Sequence, residues 1–112
     1  MKTSEIITPE GNIAQYTIDN NNELNLIFSH ANGFNGRVYN SLLHKINNNY
    51  NIHTYDMRGH GDTTLKANPN NLKSWYSFRD DLLSVIENFK TPVVLSGHSM
   101  GATASLLVAL YK

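Results

Sequence analysis

The sequence predicts an α/β fold in which a mostly parallel sheet carries helices on both faces. The apolar periodicity switches repeatedly between strand-like alternation and helical spacing along the chain. Residues 93–95 form a short, fully apolar run of the kind found in strands that are buried on both faces. The 112 residues suffice for one domain, and we find neither an internal repeat nor a linker.

The first half of the chain contains two predicted strands and one predicted helix. Residues 13–19 alternate between apolar and polar types and are rich in β-branched side chains, which is typical of a strand. Residues 24–29 predict a second, more buried strand, after which glycine and asparagine interrupt the pattern through Gly36. Helical spacing follows in the apolar residues Val38, Tyr39, Leu42, Leu43 and Ile46.

The second half of the chain continues the alternation. Residues 52–57 predict a strand that ends at the glycine-rich residues 58–61. An apolar stripe between residues 72 and 89 predicts a helix, which is followed by the strand at 93–95 and an apolar helix at 102–111. The stripe consists of Leu72, Trp75, Phe78, Leu82, Val85, Ile86 and Phe89.

Composition excludes several classes of function. Nine basic and nine acidic residues give a net charge of zero with no basic stripe, which argues against nucleic-acid binding. The absence of cysteine excludes disulfides, thiolate catalysis and cysteine-based zinc sites. No run approaches the roughly 18 apolar residues that cross a bilayer, and the first residues do not resemble a signal peptide. We therefore expect a cytoplasmic protein with no membrane partner.

One motif carries chemistry, the G-x-S-x-G pattern at residues 97–101. It follows a predicted buried strand and opens a predicted helix, which is the context of a nucleophile elbow presenting Ser99. The unpaired N–H groups at the start of that helix favour negative charge, so the N–H of Met100 can stabilise an oxyanion beside Ser99.

A second oxyanion donor is expected from the loop at residues 30–36, which follows an earlier strand. Its small residues allow the backbone to approach a substrate closely. Phe34 is the first choice for the backbone N–H donor, and Asn32 is the next.

Three segments resemble successive signatures of the α/β-hydrolase superfamily, in the family's order. They are residues 29–36, 55–61 and 96–101. The resemblance implies that Ser99 is the nucleophile, that Met100 is the elbow donor, and that Phe34 or Asn32 is the other donor. It also implies a partial α/β-hydrolase fold that ends after the nucleophile helix, and a site-shaping loop at residues 56–61.

The five histidines receive separate expectations. His98 adjoins Ser99, so its side chain should diverge from the nucleophile and line the site rather than act as the base. His30 also lies at the site, where it should hydrogen-bond to hold the second-donor loop. His60 is expected to be structural, while His44 and His53 are expected at the surface or half-buried. Without cysteine or an H-E-x-x-H pattern, neither a metal site nor a cofactor is predicted.

The aspartates are expected to have structural roles. Asp56 and Asp62 precede the nucleophile, whereas the acid follows it in this fold, and Asp56 should brace its own turn beside Arg58. We expect Asp80 and Asp81 on the solvent-exposed face of their helix, beside Arg79. Trp75 and Phe78 are instead expected in the core.

The triad acid and histidine are missing after the nucleophile, because residues 102–112 contain no Asp, Glu or His. We therefore interpret residues 1–112 as the N-terminal part of a single α/β-hydrolase domain and expect this chain alone to be inactive. Two alternatives remain: one chain of a split hydrolase that a second chain completes, or a non-catalytic binding module. In the chain alone, the strand at 93–95 would form an exposed edge and the helix after it would lack part of its cover.

The function expected from the resemblance is that of a serine hydrolase acting on a small-molecule ester, thioester or similar acyl substrate. Ser99 would form an acyl-enzyme that water then cleaves. A serine at the elbow argues against the branches that use aspartate there, namely haloalkane dehalogenases and epoxide hydrolases. An acyltransferase on the same scaffold remains an alternative.

Overall fold

The computed structural model describes residues 2–46, 49–67 and 75–111, which form five strands and three helices. The predicted stripe residue Leu72 lies outside these ranges. In chain order the elements are β1 (Lys2–Thr8), β2 (Gly11–Ile18), β3 (Asn25–Ser29), α1 (Asn40–Ile46), β4 (Asn51–Tyr55), α2 (Tyr76–Ile86), β5 (Val93–Gly97) and α3 (Met100–Tyr111).

The strands form one mixed sheet in the order β1-β2-β4-β3-β5. β3 pairs in parallel with both β4 and β5, whereas β2 pairs antiparallel with β4 and with β1. The expectation of an α/β fold is confirmed, with the sheet parallel only over the β4-β3-β5 part. The antiparallel share is larger than predicted because β2 runs antiparallel to β4 and because β1, which was not anticipated from the sequence, pairs antiparallel with β2.

β1 forms because a tight hairpin places it beside β2, not because of its own apolar pattern. The side chains of β1 are mostly exposed. Its backbone pairs with β2 across the hairpin, from the Lys2–Thr17 pair to the Thr8–Gly11 pair. The Thr8 hydroxyl donates to the Gly11 carbonyl at 2.7 Å and closes the turn. β1 is therefore an edge strand that satisfies its backbone on one side only.

Helices cover both faces of the sheet, as predicted. Alternate residues of β3 show the division, since Leu26 faces α1 and Ile27 faces α2 and α3. The larger core consists of Ile13, Ile27, Tyr55, Met57, Leu65, Phe78, Leu82, Val85, Met100, Ala104 and Val108. The smaller core, on the α1 face, consists of Ile18, Leu26, Leu43 and Ile52.

The β5 side of the molecule has an open apolar surface, also as expected. β5 lies at the edge of the sheet, and Val94 is 42% exposed. On α3, Leu106 is 65% exposed and Leu110 is 83% exposed. Within the described residues, no helix combines the length and apolar character that a membrane span requires.

Two predictions for the α2 region are wrong. Trp75 is half-exposed and precedes α2, whereas Phe78 is buried as expected. Asp81 is buried rather than solvated, because Arg58 reaches across from the loop after β4. The Arg58 Nε and Nη2 atoms donate to the two carboxylate oxygens of Asp81, each at 2.7 Å. Asp80 does face solvent and pairs with Arg79 at 2.9 Å.

The buried ion pair predicts a sharp difference between the two neighbouring aspartates of α2. Asp81→Ala should lower the free energy of unfolding by about 3 kcal/mol, because it leaves the mostly buried Arg58 guanidinium without its bidentate partner. Asp80→Ala changes the same helix but removes a pair whose carboxylate is exposed to solvent, so it should cost less than about 1 kcal/mol. Urea unfolding of both variants tests this, and equal losses would contradict a structural role for the Arg58–Asp81 pair.

Candidate active site

The G-x-S-x-G segment forms a sharp strand-to-helix turn. β5 ends at Gly97 and α3 begins at Met100, so only His98 and Ser99 lie between them. Ser99 has φ of 56°, in the left-handed region that costs a non-glycine residue roughly 1–2 kcal/mol. Its side chain is exposed, and no described residue hydrogen-bonds to its hydroxyl. This strained, presented serine has the geometry of a nucleophile elbow.

The two glycines of the motif are required by space. A Cβ on Gly97 would lie 2.5 Å from the carbonyl carbon of Gly101. A Cβ on Gly101 would overlap the backbone carbonyl of Ser29 at the end of β3. In addition, the N–H of His98 donates to the same Ser29 carbonyl at 3.0 Å. The turn therefore packs backbone against backbone on the central strand.

The second-donor loop begins with a tight turn that decides between the two candidate donors. The N–H of Phe34 donates to the carbonyl of Ala31 at 3.1 Å, and Gly33 has φ of 84°. This pattern fits a type II turn with asparagine and glycine at its centre. Phe34, the first choice, is thus occupied, whereas the N–H of Asn32 has no partner among the described residues. The Asn32-Gly33 pair is the sequence signal that favours this outcome.

The N–H of Met100 is the other available donor. It lies in the first turn of α3, where backbone N–H groups lack intrahelical acceptors, and no described residue accepts from it. The next N–H, that of Gly101, donates to the carbonyl of His98 at 3.0 Å. The position predicted for Met100 is therefore compatible with an oxyanion donor.

Tyr39 connects the second-donor loop to the elbow. The N–H of Ala31 donates to the Tyr39 hydroxyl at 3.2 Å, and that hydroxyl lies 2.8 Å from Nδ1 of His98. The Tyr39 ring also packs against Phe28, Phe34 and His98, with centroid distances of 4.6, 5.9 and 5.9 Å. The exposed His98 side chain lies on this aromatic surface beside Ser99, consistent with the lining position expected from the sequence.

His30 lies beneath the loop rather than along the site. Its side chain is fully buried, which corrects the expectation that it lines the site. Nε2 accepts the N–H of Met57 at 2.9 Å, so Nδ1 carries the proton and donates to the carbonyl of Ala31 at 2.8 Å. Both ring nitrogens are used for holding backbone, as expected for a residue that fixes the loop.

His60 has a matching structural role, as predicted. Its Nε2 accepts the N–H of Gly33 at 3.0 Å, and its Nδ1 lies 3.0 Å from the carbonyl of Arg58. The His60 and His30 rings pack edge to face with centroids 5.0 Å apart. The two imidazoles together tie the second-donor loop to the loop after β4. By contrast, His53 is more buried than expected, between Thr17 and Asn25 on the sheet.

Asp56 is a fully buried carboxylate that anchors the far end of the second-donor loop. It accepts the hydroxyl of Tyr16 at 2.6 Å and the N–H groups of Gly36 and Asp62 at 2.8 and 2.9 Å. The bond from Asp62 braces its own turn, as expected. The neighbouring Arg58 side chain pairs with Asp81 on α2.

Burial shifts the pKa of groups in this scaffold. Burial lowers the pKa of His30, although its hydrogen bond to the Ala31 carbonyl opposes the shift. Burial also lowers the pKa of His53. The pKa of Tyr16 is raised by burial and by its hydrogen bond to Asp56. These shifts favour a neutral His30 imidazole and a protonated Tyr16 phenol beside the loop, and a neutral His53 on the sheet.

Other parts of the described structure do not add groups to this site. An open cleft of about 740 Å³ lies between the tip of the β1–β2 hairpin and α2, and Ser99 does not line it. Within residues 2–46, 49–67 and 75–111, no cluster of three or more metal-ligating side chains is present.

The sequence model of a family described as "Alpha/beta hydrolase family" matches residues 26–111 of the chain. This range contains the second-donor loop, the loop after β4 and the elbow. No curated protein sequence matches the chain.

Solved structures share the fold at low sequence identity. A thioesterase domain from the curacin biosynthetic pathway superposes with a TM-score of 0.85 at 20% identity, over 100% of this chain and 40% of that one. An N-acyl homoserine lactonase complexed with N-hexanoyl homoserine lactone gives 0.84 at 21% identity, over 99% and 41%. An epoxide hydrolase from Vigna radiata gives 0.80 at 16% identity, over 98% and 35%. This chain thus spans about two fifths of the length of the first two structures.

The backbone contact at the elbow predicts that Gly101→Ala is strongly destabilising. The added methyl group would overlap the rigid Ser29 backbone, so the free energy of unfolding should fall by about 3 kcal/mol or more. Gly33→Ala is the matched control, because a Cβ there meets nothing within 4 Å and only the positive φ costs energy, about 1–2 kcal/mol. Denaturant unfolding compares them, and a smaller loss at Gly101 would refute the contact.

The lowered pKa of His30 predicts loss of stability in mild acid. The unfolded chain takes up a proton near pH 6.5, while the folded state resists it until a lower pH. The free energy of unfolding should therefore fall as the pH drops below about 6.5, by up to about 1.4 kcal/mol per pH unit for this group. The contribution of neutral His30 to the free energy of unfolding is fully present above that pH. His30→Gln should reduce the slope measured by urea unfolding between pH 7 and pH 5, and an unchanged slope would contradict the assignment.

Proposed function

The chain belongs to the alpha/beta hydrolase family, and on that premise we propose that it is the nucleophile-bearing part of a serine hydrolase that cleaves esters, thioesters or related acyl compounds. The observation that carries this proposal is Ser99, an exposed serine with φ of 56° at the junction of β5 and α3. Such strain is retained where the surrounding structure requires it, and here it presents a hydroxyl beside a helix N-terminus.

Two backbone donors support an acyl-transfer mechanism. The N–H groups of Met100 and Asn32 lack acceptors among the described residues, and each belongs to a segment anchored by hydrogen bonds at its neighbours. Fixed donors of this kind stabilise negative charge that develops on a carbonyl oxygen. We therefore assign Met100 and Asn32, rather than Phe34, as the oxyanion donors.

The reaction would proceed in two steps through an acyl-enzyme. Ser99 Oγ attacks the carbonyl carbon, its proton passes to a histidine outside residues 1–112, and the oxyanion accepts from Met100 and Asn32. Collapse breaks the bond to the alcohol or thiol, which leaves with that proton. Water then attacks the acyl-enzyme by the same route, releasing the acid and restoring the Ser99 hydroxyl.

The residue at the elbow favours acyl substrates over epoxides. An ester or thioester requires a nucleophile that forms and releases an acyl bond, which a serine hydroxyl does with a general base. Two structural neighbours bear the names thioesterase and lactonase, both of which describe cleavage of acyl compounds. The similarity to an epoxide hydrolase is one of fold, and the serine at position 99 separates this chain from an aspartate-based mechanism.

Ser99→Ala tests the proposal in the intact protein isolated from its source. With p-nitrophenyl butyrate and an acyl thioester as probes, kcat should fall by about 10⁶-fold, the loss measured when the nucleophile of a serine protease is removed. Ser84→Ala is the matched control, since that hydroxyl donates only to the Asp80 carbonyl on α2. Treatment of the active parent protein with a fluorophosphonate should give an adduct that mass spectrometry maps to Ser99.

Each alternative gives a different result in the same assay. Activity that survives Ser99→Ala would overturn the proposal. Ser99-dependent turnover at enzyme-like rates by residues 1–112 alone would overturn the proposal that the base is a histidine outside these residues. Activity that appears only when a second chain is added would favour a split hydrolase. An intact protein that binds acyl compounds without cleaving them would favour the binding module.

A further inference from the structure

The Tyr39 hydroxyl makes two hydrogen bonds. The backbone N–H of Ala31 is a donor only, so the hydroxyl oxygen accepts from it at 3.2 Å. The same hydroxyl lies 2.8 Å from Nδ1 of His98 and hydrogen-bonds to it, with a direction that follows the tautomer of the ring. Tyr39 is thus a bridge between two segments that are far apart in the sequence.

Both ends of this bridge adjoin the proposed oxyanion donors. Ala31 immediately precedes Asn32, and His98 lies two residues before Met100. A shift of the hydroxyl would therefore move the two N–H groups relative to each other. The ring of Tyr39 is itself fixed by packing against Phe28 and Phe34 just before α1, so the bridge has a rigid base.

We propose that Tyr39 is a positioning residue of the oxyanion hole, whose hydroxyl sets the separation between the N–H groups of Asn32 and Met100. This inference rests on the proposed function. The bond between the His98 N–H and the Ser29 carbonyl fixes where the elbow meets β3, but it does not reach the second-donor loop. The Tyr39 hydroxyl supplies that connection directly.

Tyr39→Phe tests the bridge, because it keeps the ring packing and removes only the hydroxyl. In the intact protein, kcat should fall about 10–100-fold with KM within about twofold, since misplaced donors weaken binding of the transition state more than that of the substrate. Tyr50→Phe is the matched control. The Tyr50 ring also packs on the smaller core, but no described residue of the second-donor loop or the elbow hydrogen-bonds to its hydroxyl, so kcat should be unchanged.

The His98 ring gives a readout that does not depend on activity. In the ¹⁵N-labelled intact protein, the shift of His98 Nδ1 should report its hydrogen bond to the Tyr39 hydroxyl. Tyr39→Phe removes that bond whichever group donates, so the ¹⁵N shift of Nδ1 should change. Tyr50→Phe should leave this shift unchanged.

A double variant tests whether the two residues act as one unit. His98→Phe keeps a ring but removes the nitrogen that bonds to Tyr39, and the Tyr39→Phe/His98→Phe double variant should lose no more kcat than the worse single variant. Additive losses, a Tyr39→Phe kcat within twofold of the parent, or unchanged His98 shifts would each overturn the inference. Absence of Ser99-dependent turnover in the parent would instead overturn the proposed function, which keeps the two failures distinct.

Discussion

The backbone of the first turn of α3 packs directly against the backbone at the end of β3, and the candidate site depends on this contact. Gly101 has no room for a side chain against the Ser29 carbonyl, and the N–H of His98 donates to that same carbonyl. The elbow can therefore approach the start of the second-donor loop, which continues directly from β3. A side chain at position 101 would separate the two segments whose N–H groups converge on the proposed oxyanion. The electrostatic stabilisation proposed for this site therefore requires this close backbone packing.

Two buried acceptors, His30 and Asp56, and the half-buried His60 then shape the loops around that contact, and each receives a backbone N–H. The pairs are His30 with Met57, His60 with Gly33, and Asp56 with Gly36. Because such groups are costly when left unpaired, each one restricts the loop to the conformation that satisfies it. The donors proposed for catalysis are consequently oriented before a substrate arrives, which is the condition under which fixed dipoles stabilise a transition state effectively.

The elements that depend on local sequence patterns could be predicted from the sequence. Alternation and helical spacing identified four of the strands and all three helices, and the G-x-S-x-G motif located the elbow. β1 was missed because its strand character comes from the hairpin and not from its own apolar pattern. The burial of Asp81 was missed because its partner, Arg58, arrives from a loop more than twenty residues earlier. The small residues of the second-donor loop indicated a backbone donor there, but which N–H stays free depends on the turn at Asn32-Gly33, which uses the N–H of Phe34.

The proposed chemistry needs a nucleophile with its oxyanion donors and a base, and these two parts have different structural requirements. Ser99 and the two backbone donors are fixed by contacts among residues of this chain, whereas no imidazole in the described residues hydrogen-bonds to the Ser99 hydroxyl. A serine hydroxyl without a base is a weak nucleophile, so an organised oxyanion hole alone confers little turnover. The open β5 edge and the exposed Leu106 and Leu110 lie on the elements that flank the elbow. Covering that apolar surface would place new chain next to Ser99, so in the proposed hydrolase burial of this surface and delivery of the base would be coupled.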